Sequence, residues 1–188
     1  MKLSIVSYLD SHSNSLVRKL QHELSAITGS KASLNSWEPH VTIVDGVEVT
    51  HEQFETLKNS IHLISSKTSK INLELTGIGS LDNWKGGAGE TPYVIYLDIL
   101  LHPNLLSVVD QISTATKGYD TWYEMPKPYL PHCTLAFRDL SQEGYIKGLA
   151  YLEGINPSIT ATIDHIALVE KLPDVDRELV RYNFTIAS

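Results

Sequence analysis

Two short runs in the chain share one pattern: WEPHVTI at residues 37–43 and YLPHCTL at residues 129–135. Each run has an aromatic residue, a proline two places later, then a histidine, and a threonine two residues after the histidine. One run lies in each half of the 188-residue chain. A single His-x-Thr is common and carries little information, but two copies in the same local context indicate a duplicated functional element.

The alternation of side chains along a strand predicts which residues of each run face a site. Residues two apart lie on the same face of a strand, so His40 should share a face with Thr42, and His132 with Thr134. The intervening residues should turn to the core. This predicts that Cys133, the only cysteine of the chain, is a buried packing residue and not a nucleophile.

The aromatic residues that open the two runs have a different predicted role. Trp37 and Tyr129 lie three residues before their histidines. Because three is odd, simple alternation places both on the face opposite the histidines. We predict that they pack against the interior.

Hydrophobic periodicity predicts the elements around the two runs. A helix opens at Thr50 with Gln53 in a capping-box pattern and continues to Ile64, and residues 80–91 form a glycine-rich loop. The other predicted helices are residues 13–27, 104–116 and 141–152, and the predicted strands are residues 3–9, 39–44, 71–78, 93–99, 131–137, 161–169 and 179–186.

The order of these elements repeats along the chain. Tyr8-Leu9-Asp10 also recurs as Tyr96-Leu97-Asp98. We therefore predict a duplicated strand–helix–strand unit, in one domain over residues 1–188 with halves at about 1–90 and 91–188. If an approximate two-fold axis relates the halves, both histidines and both threonines converge on one cleft.

Such a cleft suits displacement at phosphorus. A neutral histidine can activate water or a ribose hydroxyl group, while a protonated one donates to the leaving oxygen. Both forms are accessible near neutral pH because the ordinary pKa of histidine is roughly 6.5. The threonine hydroxyl groups can hydrogen-bond the non-bridging oxygens. The pattern predicts metal-independent chemistry without a cofactor, and it leaves open which histidine is the acid.

Composition limits the partners. Lysine and arginine total 15 against 22 aspartate and glutamate residues, a formal charge of −7, which disfavours binding along a duplex nucleic acid. A small phosphate ester or an RNA end remains compatible. The apolar stretches are too short for a membrane span, and Met1–Asp10 lacks the features of a signal peptide. We expect a cytoplasmic monomer.

Other candidate substrate residues lie mainly in loops. Aromatic loop side chains can stack on a base, but they can equally cover an edge of the core; lysine and arginine can pair with phosphate. The glycine run at residues 86–89 matches no nucleotide-binding fingerprint, and the remaining histidines have no familiar zinc spacing. The substrate-binding candidates are Trp84, Trp122, Tyr123, Lys127, Arg138 and Arg181.

The two Pro-His-x-Thr runs in a duplicated α/β chain of this size resemble the two-histidine (2H) phosphoesterase superfamily. That superfamily includes 2′-5′ RNA ligase-like proteins and 2′,3′-cyclic nucleotide phosphodiesterases, and the runs look closest to the second branch. The resemblance covers essentially the whole chain. It implies an α+β, bilobed fold with two antiparallel-type sheets flanking a central, water-filled cleft, and one histidine from each lobe.

The resemblance also implies an enzyme of RNA or nucleotide metabolism. The first hypothesis is hydrolysis of a 2′,3′-cyclic or related cyclic phosphate on a nucleotide, a nucleotide-sugar or an RNA end. The second is cleavage or formation of a 2′-5′ phosphodiester bond in RNA. The third is a binding module for a nucleotide or RNA end, which the presence of two titratable groups disfavours.

Overall fold

A computed structural model describes residues 1–36, 38–85, 89–123, 125, 127–172 and 178–187. Trp37 and most of the glycine run at residues 86–89 therefore lie outside the described residues, as does the predicted packing of Trp37. The described helices include none that is long and apolar enough to cross a membrane.

The described residues form nine strands and five helices. The strands are β1 Lys2–Tyr8, β2 His40–Glu48, β3 Ile71–Leu81, β4 Val94–Ile99, β5 Asp120–Thr121, β6 His132–Ala136, β7 Ser158–Ile163, β8 His165–Lys171 and β9 Glu178–Thr185. The helices are α1 Ser11–Thr28, α2 Ala32–Asn35, α3 His51–Ser65, α4 Pro103–Thr116 and α5 Gln142–Ile155. The predicted capping box is present at α3, where the side chains of Thr50 and Gln53 each accept a hydrogen bond from the backbone N–H group of the other.

The strands form two sheets, and every pairing is antiparallel. A five-stranded sheet has the order β5-β2-β1-β8-β9, and a four-stranded sheet has the order β6-β4-β3-β7. The predicted α+β class with two antiparallel sheets is confirmed. Strand β2, which begins at His40, and strand β6, which begins at His132, belong to different sheets and contact each other.

Each sheet draws elements from both halves of the chain. Strand β3 joins the four-stranded sheet, while β8 and β9, near the end of the chain, complete the five-stranded sheet. Helix α1 packs on α5, β6 and β7, whereas α3 packs on α4, β8 and β9. Each sheet, with the helices that pack on it, therefore contains segments from both halves of the sequence. The two sheets do not correspond to the two sequence halves.

The predicted strand at residues 161–169 is wrong, because these residues form two strands in different sheets. Strand β7 ends at Ile163 and β8 begins at His165, with Asp164 between them. The residues of the main core are Ala161 and Ile163 before this point and Ile166 and Leu168 after it, so the face toward that core changes from odd to even positions, while Ala167 and Val169 are buried in a second cluster. Without a glycine or proline at the crossover, the apolar pattern looks continuous. The short elements α2 and β5 were also not predicted, because four and two residues carry too little periodicity.

The Tyr-Leu-Asp repeat does not occupy equivalent positions in the two sheets. Tyr8 is the ladder partner of His40, whereas Asp98 is the ladder partner of His132 and Tyr96 that of Thr134. The second copy is thus displaced by two residues relative to its histidine. A tyrosine ring therefore lies near each histidine, Tyr8 at 6.3 Å from His40 and Tyr96 at 4.9 Å from His132 between ring centroids, and His132 has in addition the Asp98 carboxylate as its ladder partner.

Candidate active site

A cleft of about 560 Å³ is lined by residues of both sheets. Its walls include His40 and Thr42 from β2, together with His132 and Thr134 from β6. The structure therefore brings the two His-x-Thr runs, which are distant in sequence, to one site.

Strand alternation turns these four side chains toward the cleft. The intervening residues Val41 and Cys133 are fully buried, and Ile43 and Leu135 are at most 1% exposed. Burial raises the pKa of the Cys133 thiol to about 12, so this residue is a neutral packing group at physiological pH. Core packing on one face of β2 and β6 thus holds the polar groups on the other face.

The two histidine rings are held in the same way. His40 Nδ1 lies 2.7 Å from the carbonyl oxygen of Glu38, and His132 Nδ1 lies 2.9 Å from that of Leu130. A carbonyl oxygen only accepts, so Nδ1 of each ring carries a proton and donates it. Nε2 is the second ring nitrogen of each histidine; it accepts a proton when the ring is neutral and donates one when the ring is protonated.

The charges around the two histidines differ. Desolvation lowers the pKa of His40 to about 4, and the nearby charges of His132 and Arg18 also lower it, against the effect of the Glu38 carbonyl group. Desolvation also lowers the pKa of His132, but the Leu130 carbonyl group and the Asp98 carboxylate act to raise it. The surroundings favour a neutral His40 and favour a proton on His132 by comparison.

Helix α1 connects β2 and β6 through two polar residues that sequence analysis missed. Arg18 pairs with Glu38 at 3.1 Å, just before β2, and donates a hydrogen bond to Gln21 Oε1 at 3.0 Å. Gln21 in turn donates to the carbonyl oxygen of Thr134 in β6 at 3.0 Å. A signal was present, because Gln21 lies at helical spacing between the apolar residues Val17 and Leu24 and is buried with them.

Tyr129 joins the two strands directly. Its hydroxyl group donates a hydrogen bond to the carbonyl oxygen of Thr42 at 2.7 Å, and its ring packs against the core. Tyr129 therefore packs against the core as predicted, but it also lines the cleft with the histidines, and its hydrogen bond fixes the approach to β6 against β2.

The structure separates the other candidate substrate residues into two groups. Trp84, Trp122, Tyr123 and Arg138 line the cleft. Lys127 and Arg181 are not among its lining residues. Arg181 instead donates to Glu170 of β8 at 2.6 Å.

The cleft contains an aromatic pair on each side. Trp84 lies 6.0 Å from Phe137, measured between ring centroids, and Trp122 lies 6.1 Å from Tyr123. Lys171 places its ammonium group 4.9 Å from the centre of the Trp122 ring. Lining residues that sequence analysis did not identify include Ser4, Asp45, Tyr96, Met125 and Lys171.

Gly46 allows the Trp122–Tyr123 backbone to lie against β2. It has φ +84°, and a Cβ atom there would overlap the carbonyl oxygen of Tyr123. The carbonyl oxygen of Gly46 accepts a hydrogen bond from the N–H group of Trp122 at 2.9 Å. Only glycine satisfies both the positive φ and the close approach.

Gly46→Ala should lower the free energy of unfolding by more than the 1–3 kcal/mol typical of a strained backbone alone, since a steric overlap is added. Gly29→Ala is the matched control: it has φ +79° with nothing within 4 Å of the added Cβ atom. Urea unfolding of both variants measures the difference. Equal losses would show that the Tyr123 contact costs nothing.

The chain resembles known proteins in both sequence and structure. A model of the 2′-5′ RNA ligase superfamily matches residues 8–174, which include both His-x-Thr runs. No curated protein sequence matches the chain.

Similar solved structures extend over the whole chain. TT0787 of Thermus thermophilus has 18% sequence identity and a TM-score of 0.70, with 99% of this chain and 98% of that chain covered. E. coli LigT complexed with 3′-AMP has 15% identity and a TM-score of 0.66, with 100% and 98% covered. E. coli LigT complexed with ATP has 13% identity and a TM-score of 0.62, with the same coverage. At these identities the likeness shows the fold.

Proposed function

The chain belongs to the 2′-5′ RNA ligase superfamily, and we propose from this membership and from the cleft that it is a metal-independent phosphoesterase. Its proposed reaction is hydrolysis of a 2′,3′-cyclic or related cyclic phosphate, on a nucleotide, a nucleotide-sugar or an RNA end, to a phosphomonoester. The observation that carries the proposal is the meeting of two Nδ1-anchored histidines and two threonines in one cleft. We further propose a cytoplasmic monomer.

The residues divide the reaction between them. His40 Nε2 takes a proton from water as the water oxygen attacks phosphorus. The bond between phosphorus and the 2′ or 3′ oxygen breaks, and His132 donates its Nε2 proton to that oxygen. Thr42 and Thr134 donate hydrogen bonds to the non-bridging oxygens. Exchange with solvent then removes the proton from His40 and restores the proton on His132.

The assignment of base and acid follows from the charges near each ring. A general base must be neutral, and desolvation with the positive charge of Arg18 favours the neutral form of His40. A general acid must hold a proton, and the Asp98 carboxylate favours the protonated form of His132. The Arg18 charge near His40 and the Asp98 carboxylate near His132 thus break the symmetry of the repeated runs.

The size and walls of the cleft favour a nucleotide over a simple phosphate ester. A volume of about 560 Å³ lies within the range of pockets that hold whole small molecules. Aromatic rings on both sides can stack on bases. E. coli LigT, which shares the fold, has been solved with 3′-AMP and with ATP.

The two aromatic pairs also favour a second candidate function. The Trp84–Phe137 and Trp122–Tyr123 pairs could each stack on a base, one on either side of a phosphodiester. The same histidines and threonines would then cleave or form a 2′-5′ bond in RNA.

Incubation with 2′,3′-cyclic AMP in the presence of EDTA tests the first function. We expect conversion to a single adenosine monophosphate at a rate that EDTA does not reduce. Loss of turnover in EDTA would contradict the metal-independent mechanism. Cleavage of a 2′-5′-linked dinucleotide without turnover of the cyclic substrate would favour the second function, and nucleotide binding without product would indicate a binding module.

A further inference from the structure

The part of the cleft beyond Thr42 has no part in the proton transfers proposed above. Its lining residues are Ser4, Asp45, Trp122, Tyr123, Met125 and Lys171. Aromatic and thioether groups form much of its wall, and the Lys171 ammonium group lies over the Trp122 ring and near the Asp45 carboxylate. This end of the cleft, which we term the Asp45 end, is therefore a recess with aromatic walls that also contains one carboxylate and one ammonium group.

An irregularity in β2 turns Asp45 toward the cleft. Asp45 lies three residues after Thr42, so regular alternation would place it on the opposite face. The pairing of β1 with β2 shifts register twice, between Leu3 and Ile5 and between Ile5 and Val6. Bulges of this kind re-aim side chains and are common beside active sites.

The local hydrogen bonds leave one carboxylate oxygen of Asp45 for a ligand. Oδ1 accepts from the Ser4 hydroxyl group at 2.6 Å and from the Gly46 N–H group at 2.7 Å. Oδ2 accepts no hydrogen bond from any described residue. The Asp45 carboxylate is thus fixed in orientation, with one acceptor occupied and one open.

The position of Asp45 suits the far edge of a base. Thr42 lies opposite Val6 in the ladder, and the Asp45 side chain is bonded to Ser4, two residues along β1. At about 3.3 Å per residue, Asp45 therefore lies about 7 Å along the sheet from Thr42. This is on the scale of the distance from a ribose phosphate to the far edge of its base. Trp122 and Tyr123 lie beside this path, where they can contact the faces of a base.

We propose that the Asp45 end binds the nucleobase of the substrate, and that Asp45 Oδ2 accepts a hydrogen bond from its exocyclic amino group. This inference rests on the proposed function. An amino group only donates to Oδ2, whereas a carbonyl oxygen in its place is repelled by the carboxylate. Adenine and cytosine are therefore preferred over hypoxanthine and uracil, which carry an oxo group at the equivalent position.

Two matched substrate pairs measure this preference: 2′,3′-cyclic AMP against 2′,3′-cyclic IMP, and 2′,3′-cyclic CMP against 2′,3′-cyclic UMP. The ratio of kcat/KM within each pair should be roughly tenfold or more in favour of the amino base, because hydrogen bonds to charged groups are the stronger class. The assay is run at pH 8, since burial raises the pKa of Asp45 and the ionised carboxylate is required.

Asp45→Asn should reverse the preference. The Ser4 and Gly46 donors keep the amide oxygen at the Oδ1 position, so the amide NH₂ group takes the Oδ2 position and donates to an oxo group. Glu48→Gln is the matched control, because Glu48 is an exposed residue of the same strand and the change in charge is identical. We expect Glu48→Gln to keep the wild-type ratios.

The outcomes separate this inference from the proposed function. Equal kcat/KM within both pairs for the wild type, or an unchanged ratio in Asp45→Asn, would overturn the role of Asp45 while leaving the phosphoesterase activity standing. Turnover of none of the four substrates would refute the proposed hydrolysis of 2′,3′-cyclic mononucleotides. The role of Asp45 would then be tested by calorimetric binding of 3′-AMP and 3′-IMP. We expect the wild type to bind 3′-AMP more tightly and Asp45→Asn to bind 3′-IMP more tightly.

Discussion

Alanine at His40 or at His132 should lower kcat/KM for a 2′,3′-cyclic nucleotide by roughly 10²–10⁴-fold in each case, because each change removes one of the two proposed proton-transfer groups. Both side chains line the cleft, and each ring is anchored by a backbone carbonyl group two residues upstream. His22→Ala is the control, since His22 is an exposed residue of α1. Steady-state kinetics with 2′,3′-cyclic AMP gives the values, and circular dichroism shows whether the variants are folded.

A second substrate distinguishes the base from the acid. The 4-nitrophenyl ester of a nucleoside 3′-phosphate has a leaving group that departs as a stable anion, so it needs no proton from His132. His132→Ala should therefore lose at least about tenfold less activity on this ester than on the cyclic substrate, whereas His40→Ala should lose a similar factor on both. The opposite pattern would make His40 the acid. Wild-type activity in either variant on the cyclic substrate would contradict the two-histidine mechanism.

Much of the site could be predicted because it depends on the direction of side chains along a strand, which alternates with a period of two residues. Once WEPHVTI at residues 37–43 is assigned to a strand, the sharing of one face by His40 and Thr42 follows from backbone geometry alone. The burial of Val41 and Cys133, which lie between the paired polar residues, agrees with this alternation. The resemblance to a family was accessible for the same reason, since it depends on these local runs, and the two antiparallel sheets were expected from that resemblance.

What could not be predicted depends on register and on contacts between distant residues. Asp45 has the wrong parity to face the cleft and does so only because β2 is irregular, which no periodicity reveals. The pairing of Arg18 with Glu38 requires α1 to lie against the start of β2, and sequence spacing does not specify that packing. The displaced Tyr-Leu-Asp repeat shows the same limit, because a sequence match cannot tell which residue stands beside His132.

The pH dependence of kcat/KM should be displaced to the acidic side of an ordinary pair of histidines. In the proposed mechanism, the reactive form of the free enzyme has His40 neutral and His132 protonated. The pKa of His40 is lowered to about 4 by desolvation and nearby charges, and desolvation also lowers the pKa of His132 below its ordinary value of 6.5. The bell-shaped plot of kcat/KM against pH should therefore have its maximum below pH 6.5. Above the pKa of His132, kcat/KM should fall about tenfold per pH unit, because one proton is lost from the general acid.

Asp98→Asn should shift the alkaline side of this bell-shaped pH profile to lower pH and leave the acidic side in place. Asp98 is the ladder partner of His132, and its carboxylate acts to raise the pKa of that ring, so its removal lets the proton leave at a lower pH. Asp110→Asn, an exposed change on α4 with the same loss of charge, should leave both limbs unmoved. Full pH profiles of the wild type and both variants on 2′,3′-cyclic AMP provide the measurement. A shift of the acidic side in Asp98→Asn would show that the carboxylate changes the pKa of His40 instead. A shift on neither side would show that Asp98 does not raise the pKa of His132.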